Sequence, residues 1–185
     1  MNKHQPKKTG HDKNGYPAIP PWGTAKLWHE INQSFALHLK LFHDQLIQAR
    51  LYAKLIKKNF QRIFPLMDNL CSKTCPVCIE ACCVHAKPWY DFKDLVYLHL
   101  CKLPIPTAQP IGQLKDSCRY LTPNGCNLPR QIRPWICTWY LCPTQKTILN
   151  LCPSTKSLPI DSTLTQIKAY RKTLENEFIQ KITDN

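Results

Sequence analysis

The chain has 185 residues, with 25 Lys or Arg against 12 Asp or Glu, a formal charge of +13. That length suits one domain with a buried core, and no apolar run approaches the ~20 residues of a membrane-spanning helix. Eleven cysteines, five glycines and sixteen prolines argue for helices separated by proline loops rather than a hairpin-rich sandwich, and an odd cysteine count does not pair completely into disulfides.

Residues 1–23 are rich in Lys, His, Pro and Asn and have no apolar period, which predicts a basic disordered tail. His4 and His11 read as solvated surface. The first residues lack the apolar core of a signal peptide, so a reducing cytoplasm is expected. In that compartment clustered thiols bind metal more often than they form bridges.

Thr24 is placed to cap a helix. From Ala25 to Phe64 there is neither Gly nor Pro. Apolar or small residues recur at Trp28, Ile31, Phe35, Leu39, Phe42, Leu46, Ala49, Ala53, Ile56, Phe60, Ile63 and Met67. Steps of three and four predict one long amphipathic helix or a bent pair within residues 24–70, and Pro65 is expected to end it. The opposite face carries Lys54, Lys57, Lys58 and Arg62. It reads first as a solvated face and second as a surface for an acidic partner.

Residues 71–153 hold the thiols. Cys75 and Cys78 form a C-x2-C knuckle, followed by Cys82 and Cys83. A helix starting there sets Cys82 one turn from Cys78, with Cys83 turned about 100° away. Asp91 to Lys102 reads as a short helix, and Pro104, Pro106 and Pro110 impose a loop after it. Thr122-Pro123-Asn124-Gly125 is a turn that folds Cys118 toward Cys126. Cys137 and Cys142 follow, among Trp135, Trp139 and Tyr140, which are large enough to shield a metal site. Arg133 is placed to offset thiolate charge. A last helix starts near Asp161 or Ser162 within residues 154–185, with Leu164, Ile167, Tyr170, Leu174, Phe178 and Ile182 on one face. It is expected to pack on the N-terminal helix. The fold class is therefore mainly α, with two terminal helical segments flanking an irregular cysteine-rich core.

Eight cysteines are the candidate metal ligands: Cys75, Cys78, Cys82, Cys83, Cys118, Cys126, Cys137 and Cys142. Zinc and iron–sulfur clusters both take about four thiolates per site, and sequence does not separate them. Cys71, Cys101 and Cys152 are expected to be peripheral, with Cys101 on a core-facing helix side. Eight thiolates around two dications would remove about four positive charges and leave about +9, so part of the basic excess balances the metal site. Acid–base roles for Glu80, His85, Asp91 and His99 are weaker readings than ordinary surface.

Cys75, Cys78, Cys82 and Cys83, then Cys118 and Cys126, then Arg133-Pro134 with Cys137, resemble the YkgJ-type cysteine-cluster family of zinc- or iron-chelating CxxCxxCC proteins. The resemblance covers roughly residues 71–143. The chain departs from the family pattern by three residues rather than two between Cys78 and Cys82, by Ile79 in place of a glycine, and by one extra residue between Cys126 and Cys137. The resemblance implies a metal-binding module, non-catalytic and structural or redox in role, acting with a protein partner. Some larger proteins with a similar cluster are lysine methylases of flagellin, which gives a second reading as a cluster-dependent metalloenzyme or methylase accessory subunit. This chain has no glycine-rich nucleotide loop. The basic helix gives a third reading, a zinc-stabilised nucleic-acid binder.

Overall fold

The structure is a computed structural model and describes residues 20–151 and 160–184. The expected disordered tail lies outside them up to residue 19, as does Cys152. Residues 20–23 are part of the fold. Pro20 is buried, and Gly23 approaches Gly112 so closely that a Cβ would sit 2.7 Å from the Gly112 carbonyl oxygen.

Helix α1 spans Ala25–Leu41, and Thr24 caps it by accepting a hydrogen bond from the Leu27 N–H. The chain then turns through residues 42–46, and α2 runs from Ile47 to Thr74. The bent pair is thus the correct form of the predicted helical segment. Pro65 does not end α2. It lies inside the helix, where the ring removes one N–H and frees the carbonyl one turn earlier. Both Pro65 and Gln61 are exposed, so that carbonyl faces water. Ile63, Met67 and Leu70 are buried on the other side, and the helix continues through the interruption.

Two further helices surround this spine. Helix α3, Cys82–His85, is a single turn. Helix α4, Phe92–Leu100, begins with a capping box: the Asp94 N–H donates to the Asp91 carboxylate, and the Asp94 carboxylate accepts from the Asp91 N–H. Two short strands follow, β1 (Leu121–Thr122) and β2 (Gly125–Cys126), paired antiparallel with Leu121 opposite Cys126. Gly125 has φ 103°, a left-handed conformation that glycine takes without a Cβ clash. A 3-10 turn covers Arg130–Ile132, α5 covers Ile136–Trp139 and α6 covers Pro143–Leu151.

Helix α7, Ile160–Thr183, lies along α2. Asp161 falls inside its first turn. Ile167, Leu174 and Phe178 are fully buried in the shared core with Ile56 and Ile63. Aromatic rings stitch the layers. Phe35 of α1 meets Phe92 of α4 and Phe178 of α7 at 5.3 and 5.5 Å between centroids, and Phe60 of α2 meets Tyr97 of α4 edge-on at 5.7 Å.

Buried polar groups fix the loops to this core. Gln109 accepts from the Tyr90 N–H and donates to the carbonyls of Tyr90 and Pro21. The Trp28 indole donates to Pro106, and the Tyr90 hydroxyl donates to Ile132. The central charged group is Arg171 of α7, 2% exposed. It donates to Asp94 at 2.7 Å and to Asp91 at 2.9 Å, and lies over the Trp135 ring. Burial lifts the Asp94 carboxyl to about 6, with the Arg171 charge pulling it back down.

Removing one partner leaves a buried charge uncompensated, which costs about 3–5 kcal/mol. Arg171→Met is therefore expected to lower stability by about that much in urea unfolding. Adding Asp94→Asn should recover part of the loss, because an amide oxygen still accepts from the Trp135 N–H, which now donates to Asp94 at 3.0 Å. A double variant no more stable than Arg171→Met would contradict this coupling.

Candidate metal centre

The thiols are carried on the end of α2 and on the short elements packed beyond it. Because α2 continues past Pro65, Cys71 and Cys75 fall one turn apart on the same helix face. The Cys75 N–H closes the last turn on the Cys71 carbonyl at 2.9 Å. Burial pushes the Cys75 thiol up to about 11, with the neighbouring Cys71 charge adding to the shift and the contact between the Thr74 hydroxyl and the Cys75 sulfur opposing it. Cys82 also acts on Cys75 through its charge.

Cys71 is tied to polar groups on two other elements. The Arg130 guanidinium donates to Cys71 Sγ at 3.1 Å and also holds Asp68 and the Met67 carbonyl. The Gln145 amide of α6 donates to Cys71 Sγ at 3.5 Å and to the Thr74 hydroxyl at 3.1 Å. The Gln145 side-chain oxygen accepts from the Cys142 N–H, so Cys142 stands beside this group. Cys71, Arg130 and Gln145 were not candidates from sequence. The i, i+4 spacing of Cys71 and Cys75 was a usable signal, hidden by the expected stop at Pro65. Arg130 and Gln145 reach across 59 and 74 residues, and no local pattern marks such contacts.

A second group forms around the hairpin and α5. The Leu121 N–H bonds to the Cys118 carbonyl at 3.1 Å, which folds Cys118 back onto the strand pair holding Cys126. Cys137 sits in α5, whose first turn is held by the bond from Trp135 to Asp94. Burial pushes the Cys137 thiol up to about 12, and the Cys126 and Cys118 charges raise it further. Burial also raises the Cys118 thiol, with Cys126 contributing. Cys83 is raised first by its hydrogen bond to Cys82, then by burial, then by the charges of Cys82, Cys137 and Cys126. Burial and neighbouring thiol charges therefore disfavour ionisation of Cys83, Cys118 and Cys137, which come from three segments. Arg133 is the nearby counter-charge. It lowers Cys137 and holds the hairpin exit by donating to the Leu128 and Cys126 carbonyls.

Cys82 lies between the two groups. Interaction with the adjacent Cys83 side chain, first among the causes, lowers Cys82 to about 6 against the opposing effect of burial. Cys78 is exposed on the turn that follows Cys75. Cys101 stands apart: its thiol donates to the Ala53 carbonyl, and burial raises it to about 11. All ten described cysteines are free thiols. Among the described residues, no three Cys, His, Asp or Glu side chains already stand close enough together to hold a metal ion. The donor chemistry nonetheless suits a thiophilic cation. A dication stabilises thiolates against the burial that pushes Cys75, Cys118 and Cys137 up.

The other candidate groups have structural roles. Asp91 caps α4 and pairs with Arg171. His99 stacks on Phe35 at 5.3 Å and bonds Asn32 at 2.8 Å, and burial lowers it to about 4. Glu80 and His85 are exposed. Trp135 is half-buried against the core, whereas Trp139 and Tyr140 are each 44% exposed. No family model, curated protein or solved structure matches the chain.

The paired thiols give a direct chemical expectation. In reduced, chelator-treated protein at pH 7, Cys82 is expected to be alkylated first, since the thiolate is the nucleophile. Cys83→Ala removes the neighbouring thiol that holds Cys82 down and should slow that alkylation about tenfold or more. Peptide mapping that finds Cys137 modified as fast as Cys82 would contradict the assignment.

Proposed function

We propose that this protein binds zinc or an iron–sulfur cluster through its converging thiols, and acts as a non-catalytic structural or redox module with a protein partner. The observation that carries this reading is that Cys83, Cys118 and Cys137 are unbridged thiols raised by burial and by one another's or Cys126's charge, although they come from separate segments. Hydrophobic packing alone gives no reason to gather free thiols from separate segments. Four sulfurs are the complement of a closed zinc site or one cluster. Cys71, Cys75 and Cys82, with Cys142 beside them, are the ligands proposed for a second centre. Arg130 and Arg133 offset the negative charge of the two thiolate sets. The likeness to the YkgJ-type family supports the same chemistry.

A protein partner is favoured by the surface around the thiols. Val77 and Ile79 are fully or largely exposed, and Val84, Ile136, Trp139 and Tyr140 are partly so. All lie on segments that carry the cysteines. Apolar exposure of this kind marks interaction surfaces. A closed four-thiolate site leaves no open position for substrate, which places catalysis second.

Anaerobic purification with metal analysis and a visible spectrum tests the proposal. Bound zinc without colour, or iron with acid-labile sulfide and absorption near ~400 nm, is the expected result. Metal removal should lower the thermal midpoint by more than about 5 °C, because a metal site of this kind contributes folding free energy. Cys137→Ser should lose metal, while Cys101→Ser should retain it, and Arg130→Gln should weaken binding about tenfold. Protein that purifies metal-free under these conditions, takes up neither zinc nor iron, and melts at the same temperature with chelator would overturn the reading.

A further inference from the structure

We propose that the cleft between α1, α2 and the end of α4 binds a compact anion carrying two or more phosphate groups. The cleft has a volume of about 530 Å³, within the range of small-ligand sites. Its cations are Lys40 near the end of α1, Arg50, Lys54 and Lys57 on α2, and Lys102 just beyond α4. Among the described residues, none of the five forms an ion pair, although carboxylates elsewhere pair with Lys26, Lys93, Arg130 and Arg171. No Asp or Glu lines the cleft. The acid closest in sequence, Asp44, bonds to His43 instead.

Lys40 and Lys102 lie at helix C-termini, where a cation offsets the helix dipole. That explanation does not extend to Lys54 and Lys57 in the middle of α2. Arg50, Lys54 and Lys57 rise over about 10 Å of helix, and Lys40 and Lys102 face them from the other walls. Lys102 has φ 52°, an uncommon conformation for a residue with a Cβ. Four lysines and one arginine brought together without a carboxylate repel one another, and a bound polyanion relieves that repulsion.

The chemistry of the walls narrows the ligand. The Arg50 guanidinium already donates to the His43 carbonyl, which leaves lysine ammonium groups to make most of the ligand contacts. Lysine recognises phosphate as a point charge, whereas planar carboxylates favour an arginine fork. No Phe, Tyr or Trp lines the cleft, and of its two histidines His99 already stacks on Phe35 while His43 bonds to Asp44, so it offers little of the aromatic platform on which single-stranded nucleic acid stacks its bases. The rest of the basic patch seen in sequence lies elsewhere: Lys58 and Arg62 are exposed on α2 but do not line the cleft.

The test is calorimetric titration of the full chain with inorganic triphosphate, ATP and a single-stranded oligonucleotide at about 50 mM salt, where screening is weak. The expected result is binding of triphosphate with a Kd below about 1 mM. Lys54→Gln with Lys57→Gln should weaken it about tenfold or more, and Lys58→Gln with Arg62→Gln, which removes the same charge, should change it less than about twofold. Circular dichroism confirms that each variant is folded. Binding of ATP as tight as that of triphosphate supports the phosphate chain as the recognised group. Failure of wild-type protein to bind triphosphate, equal losses from the two variant pairs, or an oligonucleotide that binds more tightly and depends on Lys58 and Arg62 would each overturn the proposal.

Discussion

The rest of the structure depends on the continuity of α2 through Pro65. A proline in a helix interior ordinarily costs about 3 kcal/mol, through a lost hydrogen bond and a clash one turn back. Here the ring and the freed carbonyl are on the solvent side, while Ile63, Met67 and Leu70 are buried on the core side. Burial of one such side chain contributes roughly 1.5–3 kcal/mol, so the buried seam outweighs the interruption. The consequence is positional. Had the helix stopped at Pro65, Cys71 and Cys75 would not share a face. Arg130 would then have no common surface on which to hold Met67, Asp68 and Cys71.

The buried ion network adds a second constraint, at the other side of the thiols. Asp94 accepts from the capping box of α4, from Arg171 of α7 and from the first turn of α5. One carboxylate thereby connects the α2–α7 core to the helix bearing Cys137. Buried pairs of this kind add little net stability compared with an apolar replacement. Their effect here is geometric: they fix where α5 begins, and so which way Cys137 faces.

Sequence reading succeeded where the information is local. The stripe from Trp28 to Met67 specified helix because its spacing is helical, and Thr24 and Asp91 marked two helix starts through their capping chemistry. A bent pair was one of the two expected forms, but the place of the break at residues 42–46 was unmarked because Phe42 and Leu46 preserve the apolar spacing across it. Pro65 carries proline's usual helix-ending signal, and its position on the solvent side of α2 is set by the fold rather than by local sequence. The abundance of thiols was legible by counting, but their division into two groups was not. That division depends on contacts such as Cys71 with Arg130, which are distant in sequence, and on Asp94 with Arg171, whose charges lie in separate helices.

On the proposed reading, the core of the protein is a scaffold that delivers sulfurs from separate segments to common points. Its most direct test is X-ray absorption at the edge of whichever metal the purified protein carries. The account predicts a first shell of about four sulfur scatterers, near ~2.3 Å for zinc, that loses sulfur in Cys137→Ser. A shell built from nitrogen and oxygen, unchanged by that substitution, would contradict it.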